Sequence, residues 1–144
     1  MKAAYVKPKV VMKNAVQIGE LSHKGVDYII VAGRQRIPRA ASIMSSPGGD
    51  VSYPTTVSLR RKDGSNLDSI RMAVSGPSVR GKVSSSGKVK APTDKEMARQ
   101  IGSDPNVAKD SIKELVRALN KHGIKESLDT GMKELIERLE EQRA

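Results

Sequence analysis

Thr56, Ser58 and Arg60 stand two residues apart, and Ser69 and Arg71 repeat that spacing a little further on. Arginine offers a forked set of donors and small hydroxyls add short hydrogen bonds, so a surface built from these types suits phosphate. The same pattern also describes an ordinary solvated strand face with two scattered arginines. Little else in the chain suggests chemistry. His23 and His122 are the only histidines and neither sits in a motif. There is no glycine-rich loop ending in Lys-Ser or Lys-Thr, no His-Glu-x-x-His and no nucleophile elbow. We therefore expect a protein that is not an enzyme and needs neither cofactor nor metal.

What would position the two arginines is a β-hairpin over residues 53–74, YPTTVSLRRKDGSNLDSIRMAV. Val57 and Leu59 alternate with the polar residues of the first arm, and Ile70, Met72 and Val74 alternate with Ser69, Arg71 and Ala73 of the second. Side chains of a strand point alternately to opposite faces, so this two-residue period predicts one apolar face and one polar, basic face. Lys62-Asp63-Gly64-Ser65-Asn66 supplies the turn, because Asp-Gly tolerates the positive φ that reverses a chain.

Around this hairpin, residues 9–19 hold one or two short strands with the reversal at Asn14, and residues 26–32 (VDYIIVA) form a strand rich in β-branched types. Arg34, Arg36 and Arg39 follow as a basic cluster, readable as a phosphate-binding edge or as a charged edge that blocks aggregation. Residues 45–50 read as a loop. Residues 76–92 carry Arg80, Lys82, Lys88 and Lys90 among Ser and Gly, and read as a second hairpin about 84–87 or as a flexible basic linker. Thr93-Asp94-Lys95-Glu96 has capping-box form, so residues 93–101 are a helix or a last strand.

The tail is helical. Val107, Ile112, Leu115, Val116 and Leu119 share one face of a helix over 107–121, entered at Pro105 and stopped by Gly123, and a second helix is expected near 126–141. The fold class is thus α+β: an antiparallel sheet built from an N-terminal hairpin and a central meander, followed by two C-terminal helices. We expect a single domain over 1–144, with the sheet region over about 5–103, a long loop at 76–92 and a helical region from 104 onward.

Charge is unevenly placed. The chain carries 26 Lys and Arg against 16 Asp and Glu, of which 18 and 7 fall in residues 1–103 and 8 and 9 in residues 104–144. A basic sheet region joined to a near-neutral helical region points to a polyanion met by the sheet. No basic amphipathic helix and no apolar run long enough to span a bilayer favours a membrane, and Lys2, Lys7, Pro8 and Lys9 interrupt any apolar leader, so a soluble, unexported protein is expected. There is no cysteine, which excludes disulfides and thiolate metal ligands. Three Tyr are the only aromatics in 144 residues. A core so built buries little area per residue, and an oligomer interface would add to it.

The order of parts resembles the coat proteins of the small single-stranded RNA bacteriophages, the leviviruses. The likeness rests on Thr55-Thr56-Val57-Ser58-Leu59-Arg60-Arg61, on Ser69-Ile70-Arg71-Met72-Ala73-Val74 and on the helix DPNVAKDSIKELVRALNK. The resemblance implies an intertwined homodimer with one sheet running through both subunits, the helices packed over the partner, and assembly into an icosahedral shell. It implies a dimer seam at Val107, Ile112, Leu115, Val116 and Leu119. It implies a face for single-stranded genomic RNA, and for a replicase hairpin whose binding represses translation, at Thr56, Ser58, Arg60, Asn66, Ser69 and Arg71. The implied location is the virion, and the host bacterial cytoplasm during assembly. Family members stack a last-strand tyrosine on a base, whereas residues 88–103 here hold no aromatic, so phosphate contacts are expected to dominate. An RNA- or DNA-binding regulator with a basic sheet and a helical dimerisation tail is the alternative.

Overall fold

The computed structural model describes residues 2–23, 25–38, 49–62 and 73–122. The first three strands form a meander: β1 (Lys2–Met12), β2 (Ala15–His23) and β3 (Val26–Arg34). Asn14 makes the β1–β2 reversal at φ 62°, a left-handed conformation that its short polar side chain tolerates. β1 starts well before the expected residue 9, since residues 3–10 are half-buried or exposed and show no buried alternation to mark the strand. A bulge leaves Ile18 between the pairs Gln17–Val31 and Gly19–Ile30, and Ala15 to Gly19 are all buried.

The chain returns as β4 (Asp50–Tyr53) and, after Pro54, as β5 (Thr55–Arg61). It then runs back as β6 (Ala73–Ser75) and β7 (Val79–Val83), and turns once more into β8 (Val89–Lys90). Among the described residues the strands make two antiparallel sheets, ordered β1-β2-β3-β5-β6 and β4-β7-β8. The central hairpin is therefore longer than expected. β4 and β5 are one strand line and β6 and β7 the other, passing together from the second sheet to the first.

The two halves of this ribbon are out of register by one residue. β5 and β6 pair Thr56 with Ser75 and Ser58 with Ala73, whereas β4 and β7 pair Tyr53 with Val79 and Ser52 with Arg80. Continuing the first register would put Ser78 opposite Tyr53, so residues 76–78 hold one extra residue. The Gly76 N–H donates to the Thr55 carbonyl at 3.0 Å, and the Thr55 hydroxyl donates to the Pro77 carbonyl at 2.6 Å. These bonds satisfy the backbone where the ladder breaks.

Two helices follow, α1 (Asp94–Ser103) and α2 (Pro105–His122). The capping-box stretch is the start of α1, not a strand. The Thr93 Oγ1 accepts from the Glu96 N–H at 3.2 Å and its hydroxyl lies 3.1 Å from Glu96 Oε1, while Asp94 and Glu96 stand at the positive end of the helix dipole. The helical part thus begins a whole helix earlier than residue 104. The helix expected at 126–141 lies outside the described residues. Met97 and Ile101 of α1, with Ala108, Ile112, Leu115 and Leu119 of α2, join Val16, Ile30, Val57 and Leu59 in one apolar cluster.

Candidate functional site

β5 alternates as its sequence predicts. Thr55, Val57 and Leu59 are buried, while Thr56, Ser58 and Arg60 are half-buried on the other face. Ser75 and Ala73 of β6 lie beside Thr56 and Ser58. On the opposite flank, β3 sets Gly33, Val31 and Ile29 beside Thr56, Ser58 and Arg60. The polar track is accordingly narrow, and it is flanked by apolar side chains of β3. No carboxylate among the described residues pairs with Arg60. Asn66, Ser69 and Arg71 lie outside the described residues.

The basic cluster after β3 divides. Arg34 stacks over the Tyr53 ring at 5.1 Å, donates from Nη2 to Asn14 Oδ1 at 3.2 Å and from Nη1 to the Gln35 carbonyl at 3.0 Å. It braces the β1–β2 turn against β4. β3 lies between β2 and β5, so Arg34 does not guard a sheet edge. Arg36 is exposed, and Arg39 lies outside the described residues.

Most of the expected dimer seam packs within the chain itself. Leu115 and Leu119 are 0% exposed and Ile112 is 6% exposed within this one chain, because α2 lays its apolar stripe on the chain's own sheet. Val116 is half-buried against the same cluster, and Val107, 41% exposed, alone faces outward. A stripe predicts that something covers it, but periodicity does not say whether the cover comes from the same chain.

The residues that sequence reasoning left between hairpin and linker form a second basic surface. β7 and β8 pair Lys82 with Lys90 and Val83 with Val89. The turn between them is held by Ser84 N–H to the Lys88 carbonyl at 2.8 Å and Lys88 N–H to Ser84 Oγ at 3.0 Å. In this register Arg80, Lys82, Lys88 and Lys90 all have the outward parity and are exposed, while Val79, Gly81 and Val83 are buried. The Val-Arg-Gly-Lys-Val alternation was the available signal. Gly81 is required, since a Cβ there would run into the Lys90 carbonyl oxygen and the Tyr53 ring. Between β7 and α1 lies a groove of about 750 Å³ whose wall includes Arg80, Lys82, Arg99, Asp50 and Glu96. Asp50 reaches Arg80 at only 3.9 Å and both are largely exposed, which makes the pair weak.

No helix among the described residues is long and apolar enough to cross a membrane. Comparison with protein-family models, with curated proteins and with solved structures finds no match for this chain.

Proposed function

We propose that this chain is a coat protein of the single-stranded RNA bacteriophage type, which dimerises, assembles into a closed shell and packages RNA against the outward face of its central ribbon. The observation that carries the reading is the division of β5: Val57 and Leu59 go into the core, and Thr56, Ser58 and Arg60 form a hydroxyl and guanidinium track on the other side. A front part with 18 basic against 7 acidic residues and the levivirus-like run Thr55 to Arg61 support it. Phosphate contact is the main contribution in this reading, with repression through a replicase hairpin as its finer extension. The test is expression of the chain alone, followed by electron microscopy and nucleic-acid analysis of the purified product. Closed shells containing RNA are the expected result, and a nucleic-acid-free monomer at micromolar concentration overturns it.

One observation favours the second reading, a nucleic-acid-binding regulator. The α2 stripe is covered by the chain's own sheet, so the fold has a core without a partner. The same preparation separates the two, since a regulator remains a small RNA- or DNA-binding species that never closes into shells.

A further inference from the structure

We infer that the outward face of the β7–β8 hairpin, Arg80, Lys82, Lys88 and Lys90 with Arg99 of α1, is a second anchor for the phosphate backbone of one RNA strand lying along the ribbon from Arg60. This rests on the RNA-binding reading above and extends it to residues that reading does not use.

The ribbon supplies the path. Ser52, Thr56, Ser58 and Arg60 share the outward parity of the β4–β5 line, whose odd positions from Val51 to Leu59 are all buried. Ser52 pairs with Arg80, and Thr56 pairs with Ser75. Hydroxyls at 52, 56 and 58, with Pro54 between the first two, thus lie along the path from a cation at one end to a cluster of cations at the other, about 25 Å away at roughly 3.3 Å per residue. Along β7, Arg80 and Lys82 are about 7 Å apart by the same spacing, of the same order as one step of an extended sugar-phosphate chain. Five cations face two carboxylates here. Glu96 is occupied by the Thr93 hydroxyl at 3.1 Å, and Asp50 holds Arg80 only loosely. The support is stiff, because Val79 and Val83 anchor the hairpin in the core and Gln100 ties β7 to α1.

The test uses fluorescently labelled oligouridylates of about four and about twelve nucleotides, the second long enough to reach both ends. Binding is measured over a salt series for the full chain, for Arg60→Ala, for Arg80→Gln/Lys82→Gln/Lys90→Gln, and for a charge-matched Lys109→Gln/Lys113→Gln/Lys121→Gln control on α2. The substituted side chains at 80, 82, 90, 109, 113 and 121 are all exposed, so folding is expected to be retained. The β7–β8 variant is expected to lower the log–log salt slope for the longer strand by about two relative to the control. It also removes most of the affinity advantage of the longer strand over the shorter. Photo-crosslinks from 4-thiouridine are expected on the peptide spanning 78–90. If the β7–β8 variant matches the control and crosslinks avoid 78–90 while Arg60→Ala still weakens binding, this second anchor is wrong and the RNA-binding reading stands. If the unsubstituted chain binds neither oligomer at low salt, both fall.

Discussion

The side-chain amide of Gln100 holds both backbone groups of Arg80: its Oε1 accepts from the Arg80 N–H at 2.7 Å, and its Nε2 donates to the Arg80 carbonyl at 2.9 Å. The β7–β8 register shows why a side chain is needed. Carried on from Lys82–Lys90, it would set Pro92 opposite Arg80, and proline has no N–H to offer the carbonyl. Gln100 therefore stands in for the missing strand. Gln100→Ala is expected to destabilise the fold by about 1–2 kcal/mol, read as a lower urea midpoint at unchanged m-value, since two exposed hydrogen bonds revert to water.

Leu115 and Val107 test whose core α2 belongs to. Leu115→Ala is expected to cost about 2–5 kcal/mol by leaving a cavity under α2, whereas Val107→Ala stays within about 0.5 kcal/mol. The check is denaturation at several protein concentrations. A midpoint that does not move with concentration assigns the loss to the chain's own core.

Gly81→Ala is expected to separate β8 from β7. The new methyl meets the Lys90 carbonyl oxygen, a backbone atom that cannot swing away as a side-chain end could. Hydrogen exchange is expected to rise at Ser84, Lys88 and Lys90 while β2 and β3 keep their protection.

Arg34 and Arg60 are expected to respond in opposite ways. Arg34→Lys keeps the charge but loses the planar stack on Tyr53 and the forked bonds, so it lowers stability by about 1 kcal/mol and leaves the RNA salt slope unchanged. Arg60→Ala leaves the urea midpoint in place and reduces that slope by about 0.7. Lys113→Ala on α2 serves as the neutral comparison for both.

These outcomes depend on features that were legible in the sequence to different degrees. The β5 alternation and the α2 stripe are periodic over enough residues for one face to be read directly, and the strand beginning at Val26 is marked by its β-branched run. Asn14 and the Thr93 cap are local, and their side chains announce the conformation they favour. What escaped is non-local. The bulge at Ile18 hides its burial pattern, since the polar Gln17 is buried between Val16 and Ile18 and no two-residue period survives, and the pairing of residues 50–53 with 79–82 joins segments whose own alternation is too short to stand out. Arg34 reads like Arg60 in sequence, and only the positions of Tyr53 and Asn14 separate a brace from a cation with no carboxylate partner among the described residues. The owner of the α2 cover could not be read for the same reason.

The extra residue at 76–78 acts on the ribbon as an inserted nucleotide acts on a reading frame. Downstream of it, every position of β7 and β8 is read in the opposite parity, which is why even residues 80, 82, 88 and 90 carry charge outward while even Val74, upstream, turns toward the core. Deleting Ser78 would restore the upstream frame. Val79 would then still meet Tyr53, now in an unbroken register, with Val79 and Val83 inward and Arg80 and Lys82 outward, whereas a deletion inside β7 would exchange the faces, which a half-buried sheet does not accommodate. Single-residue indels within β7 are expected to be far more damaging than deletion of Ser78 or any single substitution of the exposed cations, read as a loss of the cooperative urea transition.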